Sequence, residues 1–173
     1  MAAGMVPVIA CSGIETKTGV YATLAEARAE GAVGPGIIPE GLPEGATDLR
    51  VGYLADGHRW GVLAFPTQQG DSLRKLVREE ITAGPIECRP PGRLEWWPLI
   101  LRSPVDLTAL HATGLRVYAG QDARTLFAIN WSQGRAYFWT AALETLGRVF
   151  YGTSLPGRSR TRGVGQARNS YRA

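Results

Sequence analysis

The side chains best equipped for chemistry in this sequence are two cysteines and two histidines, and their surroundings limit what they can do. Cys11 and Cys88 are too few for a disulfide framework or a cysteine-rich zinc site; a single pairing between them stays open. His58 and His111 have neither a nucleophile nor a metal ligand at a telling spacing, so no Ser–His–Asp relay and no zinc site with Cys88 is written in the chain. Glu79 and Glu80 are adjacent on an expected helix and point in different directions, which keeps them from sharing a proton. Gly163-Val164-Gly165-Gln166-Ala167-Arg168 imitates half of a dinucleotide loop, but it lacks the final glycine and follows no strand. Asn130-Trp131-Ser132 matches a glycosylation sequon, and its place at a strand end favours coincidence. No cofactor and no metal ion is expected, and a hydrolase whose site is assembled only by the fold stands as the last of three functional readings.

Three other features point to partners. Val8-Ile9-Ala10-Cys11 has the form of a bacterial lipobox, in which cleavage before Cys11 frees it to take a lipid. No basic leader precedes it and only ten residues stand before the cysteine, so a chance match is the competing reading. Residues 153–173 carry Arg158, Arg160, Arg162, Arg168 and Arg172 with no acid, which leaves 14 basic and 15 acidic residues elsewhere. The net charge of +4 therefore belongs to the tail. Such a tail can neutralise phosphates of nucleic acid, rest on anionic lipid, or simply solubilise; Tyr171 is its lone aromatic, so base stacking is poorly served. Trp96-Trp97 lies before Pro98, and on an extended chain one indole turns inward while the other is left as a contact anchor or as cover for the sheet edge.

The elements that must position these groups are legible from pattern. Residues 1–22 look unstructured apart from the lipobox run. Thr23 and Glu26 form a capping box ahead of a short helix over 24–30, with Gly31 closing it. Residues 36–48 are rich in proline and glycine and read as a binding loop or a crossover covering the sheet. Strands are expected at 49–54 and 59–65 around an Asp56-Gly57 turn. A helix is expected over 70–84, with Asp71 as its cap and Leu73, Leu76, Val77 and Ile81 on one face. Ser103 caps a further helix with Pro104 in its first turn, ending at Gly114. Strands follow at 115–118, 124–131 and 135–140, the last two forming a hairpin with alternating aromatic residues. Residues 141–151 have helical spacing.

Gly19-Val20-Tyr21, Leu24-Ala25-Glu26-Ala27, Gly31-Ala32, Ile38-Pro39, Leu42-Pro43 and Ala46-Thr47-Asp48-Leu49, followed by Trp60 and Phe65, resemble small uncharacterised bacterial proteins. Many of these are lipoproteins with a domain similar to the head domain of YbbD-like proteins. Trp96-Trp97-Pro98 and Ala136-Tyr137-Phe138-Trp139 fit the same pattern loosely, and the resemblance spans about residues 11–140. It implies a cell-envelope address with Cys11 as the lipidated residue, and carries no catalytic residue.

The chain is thus read as an N-terminal extension over 1–18, one α+β domain over 19–151, and an Arg/Gly-rich tail over 152–173. The domain is expected to hold a mainly antiparallel sheet of about five strands with two or three short helices, and the tail to be flexible. At 173 residues it is long enough to bury a core. The first functional reading is a non-enzymatic, envelope-associated accessory or interaction protein, lipid-anchored on the periplasmic side if the true start lies upstream and cytoplasmic otherwise. The second is a soluble subunit of a larger protein or nucleic-acid assembly, gripping its partner with the basic tail.

Overall fold

Alternation along the closing hairpin decides the architecture. Leu126 and Ala128 belong to one apolar cluster and Phe127 and Ile129 to another. Successive strand residues point to opposite faces, so this sheet must be covered on both. A computed structural model describes residues 15–141 other than positions 35, 93 and 123. Within them, β1 (Lys17–Thr23), β2 (Thr47–Tyr53), β3 (Arg59–Ala64), β4 (Val77–Glu80), β5 (Arg116–Gly120), β6 (Thr125–Asn130) and β7 (Arg135–Thr140) form one sheet in the order β1-β2-β3-β7-β6-β5-β4. All neighbouring pairs are antiparallel. Short helices α1 (Leu24–Ala29), α2 (Gly70–Leu76) and α3 (Leu107–Ala112) complete it. The α+β class, the antiparallel sheet and the few short helices agree with the sequence reading.

One face is covered by α1, α2 and the proline-rich segment between α1 and β2. Leu24, Ile38, Leu42 and Leu73 pack there on Leu49, Leu63, Phe127 and Phe138. The other face is covered by residues 81–115, whose Ile86, Leu94, Trp97, Leu101 and Leu110 pack on Trp60, Val117, Leu126 and Trp139. Truncating one of the buried tryptophans to alanine in such a core costs about 3–5 kcal/mol.

The sheet has seven strands rather than about five, and the two extra ones are its edges. Residues 17–22 are not unstructured: they form most of β1. Only Gly19 and Tyr21 of that strand are partly buried and the other five residues are exposed, so it carries too short an apolar alternation to stand out in the sequence. β4 is cut from the expected helix over 70–84. Val77 adopts φ −113° and ψ 156°, ending α2, and β4 then pairs with β5. Tertiary pairing overrides the helical period here. Leu73 and Val77 lie in the first core and Ile81 in the second, so the chain passes from one face to the other around the sheet edge. A continuous helix could not make that passage.

Caps differ in detail. Thr23 Oγ1 accepts from the Glu26 N–H at 3.2 Å, but Glu26 reaches one residue further back, accepting from the Ala22 N–H at 2.7 Å. α3 starts later than Ser103: Asp106 is its cap, accepting from the N–H groups of Thr108 and Ala109. Ser103 Oγ is used instead by the Cys88 N–H, at 2.7 Å. Asp48, at φ 48°, stands in the irregular stretch of β2 and is held by Arg135 of β7, whose Nη1 donates to it at 2.8 Å. The expected helix over 141–151 and the tail lie outside the described residues.

Gly61 of β3 faces Phe138 across the strand pair, and a Cβ added there would overlap the edge of the phenyl ring. Gly61→Ala is expected to lower unfolding free energy by about 1–3 kcal/mol in urea titration. Adding Phe138→Leu should recover part of that loss; strictly additive costs would refute the packing argument.

Candidate functional site

The polar groups of the central strands collect at one end of the sheet, where β3 begins, β7 ends and β6 begins. Arg59 opens β3 because the Asp56-Gly57 turn delivers it there, and its N–H donates to Thr140 Oγ1 at 3.0 Å. The Arg59 side chain, only 12% exposed, donates through Nη2 to Thr125 Oγ1 at 2.8 Å and lies 3.4 Å from Asp122 Oδ2. Thr125 is buried and its hydroxyl donates to Asp122 Oδ2 at 2.6 Å. Asp122 Oδ1 accepts from the N–H groups of Arg124 and Thr125, at 3.0 and 2.9 Å. Burial pushes against ionisation of Asp122, yet the Thr125 hydroxyl, these two N–H groups and Arg59 together hold its carboxyl below the usual range. Burial likewise weakens the hold of Arg59 on its proton, with Asp122 opposing, but a guanidinium stays charged.

These groups line a groove of about 1110 Å³ whose walls include Lys17, Tyr53, Leu54, His58, Glu87, Arg89 and Arg124. His58 Nδ1 lies 3.1 Å from Asp56 Oδ1, and its ring is stacked near Trp60. The other histidine is distant in the fold: His111 of α3 stands 3.6 Å from Glu80 of β4. Among the described residues no three His, Cys, Asp or Glu side chains are placed to hold a metal ion.

Of the residues singled out from sequence, Cys11 and Arg158, Arg160, Arg162, Arg168 and Arg172 lie outside the described residues. Cys88 is buried in the second core, and burial pushes its thiol up to about 12, so it is protonated and a poor nucleophile at neutral pH. Asn130 is buried too; its amide donates to the Thr113 carbonyl and its oxygen accepts from Ser132 and Gln133, so the sequon asparagine is engaged in the turn.

The tryptophan pair divides as alternation requires. Trp97 is 2% exposed, edge-on to Tyr137 and Trp139, with its Nε1 donating to the Leu101 carbonyl. Its ring is core, so Trp97 is the inward indole of the pair and Trp96 is the candidate contact residue that remains. Trp96 is half-buried and packs edge-on against Trp97. Beyond it Pro98 leads into a 3-10 turn at Leu99–Leu101, where Leu101 points inward and Leu99 is 82% exposed. Leu99 and Arg59 were not singled out in the sequence. A tight turn after Trp-Trp-Pro cannot bury all of Leu99-Ile100-Leu101 at once, which is the signal that could have found Leu99. Arg59 carries no such local mark.

The depressed Asp122 carboxyl has a sign that can be worked out. Its ordinary value is 3.8. With the folded value lower, its contribution to stability is complete above the ordinary value and is lost as pH falls through the folded one. Between about pH 5 and pH 2, Asp122→Asn should therefore show a smaller drop in Tm than the parent chain. Parallel Tm–pH curves would show that the Asp122 network does not favour the ionised form.

No helix among the described residues is long and apolar enough to cross a membrane. No family model matches the chain, and neither a curated protein nor a solved structure matches it.

Proposed function

We propose that this chain is a non-enzymatic interaction protein of the bacterial cell envelope, meeting a protein partner through Trp96 and Leu99 and anchored by lipid on Cys11. One observation carries the contact surface: Leu99 is 82% exposed beside the half-buried Trp96, on the segment that roofs the second core. Tryptophan is enriched among the anchors of protein interfaces, where well-packed surroundings hold it in place. Trp97 supplies that base, holding Trp96 edge-on at 5.9 Å between ring centres. The envelope address rests on Val8-Ile9-Ala10-Cys11 and on the resemblance described above. A single acyl chain holds a membrane weakly, so the anchor would need a full set of lipids or the basic tail as a second attachment.

A photo-crosslinking side chain at position 99 is expected to give one discrete adduct in the native host, and one at exposed Glu79 none. The same adducts from both positions, or none from 99, would refute the contact surface. An adduct that survives Trp96→Ala but disappears when residues 153–173 are removed would favour the accessory subunit that grips through its tail.

Intact-mass measurement of the native protein tests the anchor separately. The expected species begins at Cys11 and carries lipid; a chain that keeps the residues before Cys11 and carries no added mass would refute it.

A further inference from the structure

We infer that the groove at the Arg59 end of β3, β6 and β7 is a binding site for an oxyanion, a carboxylate or phosphate group borne on a small organic body. Arg59, only 12% exposed, lines the groove. Its side-chain hydrogen bonds among the described residues run from Nη2 alone, to Thr125 and, at 3.4 Å, to Asp122. Asp122 is a loose partner: its Oδ2 lies at 3.4 Å from Nη2 and is shared with the Thr125 hydroxyl, which holds it more closely at 2.6 Å. A largely buried cation with so imperfect a counter-charge retains an unfavourable desolvation cost, which an added anion would offset. Its planar fork of N–H groups suits the paired oxygens of carboxylate or phosphate.

The rim adds charge of the same sign. Glu87 is paired with Arg89 at 2.9 Å, and Asp56 lies 3.1 Å from His58, which offsets its charge only when protonated. Lys17 and Arg124, also on the groove wall, have no carboxylate within ion-pair distance among the described residues. With His58 neutral, Lys17, Arg59, Arg89 and Arg124 outnumber Asp56, Glu87 and Asp122 on the groove wall by one positive charge. Tyr53 and Leu54 give the wall an apolar stretch, on which the organic body of a ligand could rest. Neither Trp96 nor Leu99 lines the groove, and the site does not depend on that contact.

The test uses the full-length chain with inorganic phosphate and with benzoate, each against chloride at equal ionic strength. The readouts are calorimetric titration and the NMR signal of the Arg59 Nε–H, which separates this site from anion binding elsewhere on the chain. Saturable binding that moves the Arg59 signal is expected for at least one probe. Phosphate alone would identify a phosphate-bearing ligand, and benzoate alone a carboxylate. Lys17→Gln with Arg124→Gln should together weaken the affinity by about tenfold, a loss of about 1.4 kcal/mol shared between two charge-assisted contacts. Arg59→Lys, which keeps the charge but loses the fork, should weaken it further; if that variant fails to fold, the rim pair carries the test. Binding that leaves the Arg59 signal still, binding that the rim pair does not change, or no saturable binding of either probe would overturn the proposal.

Discussion

Strand β7 lies between β3 and β6, and that placement joins what would otherwise be two separate ribbons. β1, β2 and β3 form one antiparallel meander, and β4 to β7 another. Neither ribbon could bury both of its faces alone, because each core draws side chains from both. Pairing of Trp60 with Trp139 and of Gly61 with Phe138 fixes the register at the junction. The same register puts Arg59 beside Thr140 and Thr125, so the polar groove inherits its geometry from the seam between the meanders. The seam joins segments far apart in sequence, and closing that loop costs entropy before any of the packing is gained. Side chains at the seam are accordingly the ones with least room for change, as the contact between Gly61 and Phe138 illustrates.

What could be read from sequence follows from how local each signal is. The β6–β7 hairpin alternates apolar residues and turns on Gly134, and both features act within a few residues, so it was legible. The hairpin from β2 to β3 was legible for the same reason. β1 was hidden because a mostly exposed edge strand carries too short an apolar period, and β4 because four residues of strand continue the helical spacing of α2. The start of α3 was misplaced because Ser103 and Asp106 are both good caps, and only the fold assigns Ser103 to the Cys88 N–H.

The candidate sites divide along the same line. Trp96 and Trp97 could be paired from sequence as one inward and one outward ring, but which was which depended on Tyr137 and Trp139 of a distant strand. Arg59, Asp122, Thr125 and Thr140 come together only through strand register. No short motif contains them, and polar residues at strand ends are common enough to pass unnoticed. The opposite holds for Cys11, whose reading is entirely local and independent of the fold.

The edges of the sheet differ in a way that bears on how the molecule behaves in a crowded solution. β4 is four residues long and irregular in register, so it offers a poor template to a passing chain. β1 is seven residues long, contains no proline, and exposes Val20 at 70%. Its defences are the charge of Lys17 and the turn into α1, which limits how far a foreign strand could extend. Of the two edges, β1 is therefore the one open to edge-to-edge pairing. A second charge placed on β1 would blunt an edge that Lys17 is now the only charged residue to guard.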